Sequence, residues 1–327
     1  MKSLTSGVAV ITYNGLKYLP QQLDSILAQT RRVDHIVVSD DRSTDGTWEY
    51  LEAWAQRTTV PVTLIRNECQ LGLIRNFEQA VGAVKADIVF SCDQDDVWFP
   101  DKVERLSGIF ERETGVVLVH TDAVLVDATG ADMHKTLFGE LDLTAAERAA
   151  IDAGEAFRVY CRRNVVTGAT AAFLSSLAQR AHPFPPMLYH DAWLAMLAAA
   201  TGKIRMLDVP TIYYRQHGAN LVGARKLDFL TLLRQFWWAL NRPLPLTKLI
   251  DNVIEMRAEV HSRLAALADT APYCMALASE ALRFARARNS LPRNPVTRMV
   301  AVLKGARLYR RFSYVPWEDL FRDIVRR

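Results

Sequence analysis

No stretch of the 327-residue chain approaches the roughly 20 consecutive apolar residues of a bilayer-spanning helix. The opening residues Met1-Lys2-Ser3-Leu4-Thr5-Ser6-Gly7 run into a β-like segment, not into the apolar region of a secretion signal. Phosphate-cradling glycine patterns are also missing. No Gly-x-Gly-x-x-Gly follows the first β-like run, and no Walker lysine occurs, which argues against dinucleotide oxidoreductases and P-loop enzymes. Cysteine is scarce: Cys69, Cys92, Cys161 and Cys274 lie far apart without metal-ligand spacing, so free thiols in a reducing cytosol are expected.

What remains is an ordinary globular composition, 50% hydrophobic and 23% charged, long enough for one large domain and an appendage. The net charge of +4 is unevenly placed. Residues 225–327 carry 19 Lys+Arg against 9 Asp+Glu, whereas residues 1–224 are net acidic. That asymmetry points to a basic C-terminal region facing an anionic surface.

Short β-branched runs alternate with helical periodicity through the first hundred residues. Strands are predicted at residues 8–13, 35–39, 62–65 and 88–90, with helices over 16–29, 44–56 and 74–84 between them. This order implies a mainly parallel sheet with helices on both faces, whose ligands gather at the carboxyl ends of the strands. A helix over 100–110, a strand over 116–126, and a loop and helix over 130–160 follow. Residues 165–170 are predicted to resume the sheet, residues 191–200 to form an apolar helix, and residues 206–210 and 211–215 to be the last strands. Three helices are predicted beyond residue 225, over 227–240, 249–267 and 273–288.

The densest chemistry stands at the end of the fourth strand, in Ser91-Cys92-Asp93-Gln94-Asp95-Asp96-Val97-Trp98. Three carboxylates within four residues repel one another unless a cation lies between them. Oxygen donors of this kind suit Mg²⁺ or Mn²⁺, which commonly bind one or two carboxylates together with substrate phosphates. No Lys/Arg cluster stands nearby in the sequence to neutralise a diphosphate instead. The other strand ends carry Tyr13-Asn14 and Asp40-Asp41.

With these residues in view, the chain resembles the family 2 glycosyltransferases of the GT-A fold, and among them the rhamnosyltransferase-like members. The matching segments are residues 10–14, 39–47, 91–98, 190–194 and 214–223, in the family's order. The resemblance implies a GT-A catalytic domain over residues 1–224 and a helical basic region over 225–327. It implies that Thr12, Tyr13, Asn14 and Asp40 line a base pocket and that Arg75 contacts the base. Asp93 would meet the ribose or the cation's water shell, and Asp95 would ligate the cation. His217 is a further candidate ligand, and Asp191 is the expected general base of an inverting transfer. Each has a plainer reading: a core aromatic for Tyr13, a solvated helix-start Arg for Arg75, a loop histidine for His217 and a helix cap for Asp191. Trp98 and Trp193 are candidate sugar-stacking walls. A bulky residue often stands in the family where this chain has Ala192, which touches acceptor preference.

The implied partners are a nucleoside-diphosphate sugar, with dTDP-rhamnose ahead of a UDP-hexose, and a saccharide or lipid-linked saccharide acceptor. The expected place is the cytoplasm, peripherally on the inner face of the plasma membrane, with no nucleic-acid role. Residues 303–312 interleave basic and apolar side chains as an amphipathic helix would, and Phe236-Trp237-Trp238 is an interfacial type of cluster. Rival readings are a catalytically inactive nucleotide-sugar-binding protein and a nucleotidyltransferase. Residues 41–52 also match the EF-hand spacing, but they are entered from a strand and no second loop pairs with them.

Overall fold

The structure is a computed structural model that describes residues 3–217, 246–313 and 316–325. It opens with β1 (Ser6–Thr12), α1 (Leu19–Leu27), β2 (His35–Asp40), α2 (Thr47–Ala55), β3 (Val62–Arg66), α3 (Leu73–Ala83) and β4 (Ile88–Cys92). Side chains alternate across a strand, so β1 sends Val8 and Val10 to one face and Ala9 and Ile11 to the other. All four are buried. The Val8 face packs against Leu19, Leu23 and Ile26 of α1, and the Ala9 face against Phe77, Ala80 and Val81 of α3.

These strands pair in parallel in the order β3-β2-β1-β4. The strand order reverses at β1, because β2 and β3 lie on one side of it and β4 on the other. A crevice opens outside the strand ends at such a reversal. Thr12 pairs with Asp40 and Val10 with Cys92, so β1, β2 and β4 finish nearly level around that crevice.

Beyond β4 the sheet is mixed. The elements are β5 (Val97–Trp98), α4 (Lys102–Arg112), β6 (Val116–Val126), β7 (Asp132–Thr136), α5 (Leu137–Glu140), α6 (Ala145–Asp152), α7 (Ala156–Tyr160), β8 (Ala172–Leu174), α8 (Ser175–Ala181), α9 (His190–Thr201) and β9 (Lys203–Arg215). The strand order continues β4-β8-β6-β9-β5, with β7 against β6. β8 runs antiparallel to both β4 and β6, and β9 parallel to β6.

Two strand predictions need correction. Residues 165–170 hold no strand; Gly168–Thr170 is a single 3₁₀ turn, and the sheet resumes at Ala172. Residues 206–215 belong to one long strand, β9, whose pairing with β6 shifts register around Asp122 and Pro210. Pro210 lacks an N–H, and proline is tolerated in a sheet at such irregularities.

The C-terminal region is helical: α10 (Leu246–Ala265), α11 (Pro272–Asn289), α12 (Pro295–Lys304), α13 (Ala306–Phe312) and α14 (Pro316–Val325). Its inward side chains, among them Leu264, Leu277, Phe284, Val302 and Tyr309, join the same hydrophobic cluster as Phe157 and Trp193. The segment 303–312 is not one helix, because α12 ends at Lys304, Gly305 caps it, and α13 begins at Ala306. The predicted helix 227–240, the cluster Phe236-Trp237-Trp238, residues 218–223 and the boundary at 224/225 lie outside the described residues.

Candidate active site

At the end of β1 the chain turns through Asn14, which holds a positive φ of 49°. Asp40, at the end of β2, is fully buried, and its carboxylate accepts from the Ser43 backbone N–H and hydroxyl. The same Ser43 hydroxyl accepts from Asn14 N–H at 2.8 Å, while the Asn14 side-chain oxygen accepts from Thr44 N–H at 2.9 Å. Asp40 therefore braces the loop that shapes the crevice instead of facing into it. Asp41 is likewise committed, accepting from Asn67, Leu71 N–H and Gly72 N–H. Tyr13 is 43% exposed, so it is not a core aromatic and its ring is open to a ligand.

Gln94 joins the two sides of the crevice. Its side-chain oxygen accepts from the Thr12 hydroxyl at 2.7 Å and from Tyr13 N–H at 2.8 Å, and its amide donates to Tyr13 O at 3.2 Å. Gly15 makes room for it, since a Cβ there would lie 2.4 Å from the Gln94 oxygen. Thr12, Tyr13, Asn14 and the acid cluster are thus brought together through Gln94, a residue whose only sequence signal was its place between two aspartates.

The acids differ in environment. Burial first, then the charges of Asp95 and Asp191, raise Asp93 to about 7, with Lys102 opposing. Asp96 is 1% exposed and raised well above the carboxylate range, first by burial and then by Asp95 and Asp93. It accepts from Arg215 N–H at 2.9 Å. Asp95 pairs with His217 at 2.7 Å, and the His217 ring stacks on Tyr18 with centroids 5.0 Å apart. The Arg215 guanidinium donates to Asp95 O at 2.8 Å and to Gln21, and lies over the Tyr18 ring.

Two cations therefore serve this loop, although the sequence shows no basic cluster beside it. Lys102 is fully buried; its ammonium donates to Ala169 O at 2.7 Å and lies 4.0 Å from the Trp98 ring centroid. Burial lowers it to about 8 while Asp96 and Asp93 hold it up. Its position in the first turn of α4 gave no hint of this, because the charge points inward from a helix with an otherwise ordinary pattern.

Asp191 sits in the first turn of α9. It accepts from Ala192 N–H at 2.6 Å, Asn164 Nδ2 at 3.0 Å and Gly168 N–H at 3.2 Å. Burial raises its affinity for a proton, opposed by His190 and these hydrogen bonds. The 3₁₀ turn that supplies Gly168 is tied down by Lys102 at Ala169 O and by the Ser91 hydroxyl, which donates to Gly168 O. Asn164 and Gly168 were not singled out by sequence, since their roles depend on a turn far away in the chain.

Three predicted contacts do not assemble as expected. Arg75 is half exposed and ion-paired with Glu78, which also pairs with His182. Trp98 and Trp193 are almost fully buried, and Trp193 donates its indole N–H to Ala181 O, so both belong to the core and neither is a sugar-stacking wall. Among the described residues no three acidic, histidine or cysteine side chains converge as a complete metal cage.

Comparison with known proteins agrees with this architecture. An uncharacterized glycosyltransferase from Nostoc sp. is 27% identical over 65% of this chain and 65% of its own length. The dTDP-rhamnosyl transferase RfbG of Shigella flexneri is 25% identical over 69% of this chain and 80% of its own. The chain spans just under two thirds of the Nostoc relative, and only 33% of the abequosyltransferase RfbV of Salmonella typhimurium. In structure, residues 1–349 of S. aureus TarS in complex with UDP-GlcNAc superpose with a TM-score of 0.55 at 17% identity, covering 87% of this chain and 88% of TarS 1–349. The mannosyltransferase PcManGT of Pyrobaculum calidifontis, in complex with GDP-Man and Mn²⁺, gives 0.52 at 22% identity, covering 99% of this chain and 87% of its own. Asp191 and His217 lie beyond the segment that carries the family signature. That segment, residues 7–168, just under half of the chain, matches Glycosyl transferase family 2.

Proposed function

We propose that the protein transfers a rhamnose-like sugar, with inversion, from a nucleoside diphosphate to a saccharide or lipid-linked saccharide acceptor in surface-polysaccharide synthesis. The cytoplasmic side of the membrane is the proposed location, and no helix among the described residues is long and apolar enough to cross it. One observation carries the reading. Asp191, from α9, and Asp93, at the end of β4, lie close enough for the charge of one to raise the other. The proposed base and the acid cluster therefore stand near one another at the end of β4. The named activities of relatives, dTDP-rhamnosyl transfer in RfbG and bound UDP-GlcNAc or GDP-Man in the structural neighbours, support a nucleotide-sugar donor.

In this reading the exposed Tyr13 ring stacks on the base, held in place by Gln94 and by the Asp40–Ser43–Asn14 chain. Asp191 takes the proton of the acceptor hydroxyl as that oxygen attacks the anomeric carbon. Its three hydrogen-bond donors orient the carboxylate and oppose the effect of burial, which on balance raises its affinity for a proton.

The donor set fits a divalent cation. Asp93 and Asp95 are hard oxygen ligands, the charge of Asp95 makes ionisation of Asp93 costlier, His217 stands beside Asp95, and the remaining ligands would come from water and the donor's phosphates. Mg²⁺ or Mn²⁺ bound there would supply charge stabilisation for the departing diphosphate.

Asp191→Asn tests the proposal, because it preserves shape and removes the base. Donor affinity by calorimetry should be unchanged, while transfer falls by about 10²–10⁴-fold. Near wild-type transfer would assign the base to another group.

A further inference from the structure

The amphipathic order of α12 is inverted. A surface helix ordinarily turns its apolar stripe inward. Here Val296 (65% exposed), Met299 (42%), Val300 (43%) and Leu303 (55%) recur at i, i+3, i+4 and i+7 and face out. Arg298 on the opposite side is buried, donating to Ile324 O at 3.0 Å and Arg293 O at 3.3 Å. The helix start is well defined, since the Asn294 side chain accepts from Val296 and Thr297 N–H, and Val302 anchors it to the core. The stripe is therefore the outward face of a docked helix.

What covers such a stripe is decided by the charge around it. From Ala281 to Trp317 the sequence holds nine Lys and Arg and no Asp or Glu. Exposed Arg293 precedes α12, and exposed Lys304 and Arg307 follow the stripe. The neighbouring α14 carries Trp317, 67% exposed, with the Arg310 guanidinium 5.4 Å from its ring centroid. A second copy of this surface would bring like charges together. Nucleic acid would leave the aliphatic stripe unused, because it stacks on aromatic planes. An anionic bilayer satisfies both features: headgroups meet the basic residues, and the interface takes up the apolar side chains.

We propose that α12 is the membrane-docking helix of this enzyme, lying in the plane of an anionic lipid surface with Val296, Met299, Val300 and Leu303 inserted. The proposal rests on the transferase reading only for its purpose, the access to a lipid-linked acceptor. Vesicle binding without donor can fail while transfer stands, and transfer can fail while binding stands.

The test is co-sedimentation of the full chain with vesicles of phosphatidylcholine alone or with about 30% phosphatidylglycerol, at 0.1 M and 1 M salt, where the screening length falls from about 10 Å to about 3 Å. The expected result is binding to the anionic vesicles, weakened at high salt, and weak binding to the neutral ones. A Val300→Glu/Leu303→Glu double variant should bind at least tenfold less and keep wild-type donor turnover and circular dichroism, since both side chains point outward. Lys304→Gln/Arg307→Gln should lower anionic binding and flatten its salt dependence. Equal binding to both vesicles, no binding, or an unaffected double variant would overturn the proposal. So would a dimer in sedimentation velocity that the double variant dissolves, which would assign the stripe to a second copy.

Discussion

At the residue scale the acid loop is held by groups that do not themselves touch substrate. Lys102 illustrates this, since its buried ammonium faces Asp93 and Asp96 and satisfies Ala169 O. Lys102→Met would leave that carbonyl without its partner and the acids without their internal cation. Loss of stability on the order of 2–3 kcal/mol in urea titration is expected, together with lower transfer from a loosened Gly168 turn. Gly15→Ala acts on the other side of the cleft by displacing the Gln94 side chain. Donor affinity should drop at least several-fold in calorimetry while the melting temperature changes little. Asp95→Ala should reduce donor affinity and turnover together, and EDTA should do the same to the wild type; full activity in EDTA would remove the metal from the account.

At the scale of elements, the sequence is legible where local pattern and final contacts agree. Val8–Ile11, Ile36–Val38 and Ile88–Phe90 are short β-branched or apolar runs between helical periodicities, and each became a parallel strand. Legibility fails where a distant partner decides. Val165–Thr170 reads as β by composition, yet Gly168–Ala169 must offer groups to Asp191, Ser91 and Lys102, so the chain turns there instead. The direction of β8, antiparallel between β4 and β6, has no local signal either. Asp40 and Asp41 look like ligand-facing acids in sequence, but Asp40 spends its oxygens on its own loop and Asp41 on the connection between β3 and α3, which spacing alone does not reveal.

The start of α6 shows an element whose stability titrates. Thr144 and Glu147 form a reciprocal cap, and Glu147 also receives the Arg163 guanidinium. Burial alone would raise this carboxyl; hydrogen bonds from Arg163 and Thr144 hold it down to about 2. A depressed carboxyl contributes stability above its unfolded value, about 4.5, that is lost as pH falls toward about 2. Glu147→Gln should therefore lower stability near neutral pH by on the order of 2 kcal/mol and flatten its decline between those values. Parallel pH curves for variant and wild type would contradict the assignment.

At the scale of the whole molecule, the helical C-terminal region is packed into the same core as α7 and α9, and α9 carries Asp191. The proposed base thus stands on an element supported by both parts of the chain. The central claim, that this cleft transfers a sugar from a nucleoside diphosphate, is tested most directly by donor turnover. The purified chain is incubated with dTDP-rhamnose and a panel of UDP- and GDP-hexoses, with and without Mn²⁺, and the released nucleotide and anomeric configuration are read by NMR. The account predicts Mn²⁺-dependent release from at least one donor, dTDP-rhamnose first, with an inverted anomeric centre and loss of turnover in Asp191→Asn. No release from any donor, or a product with retained configuration, would contradict it.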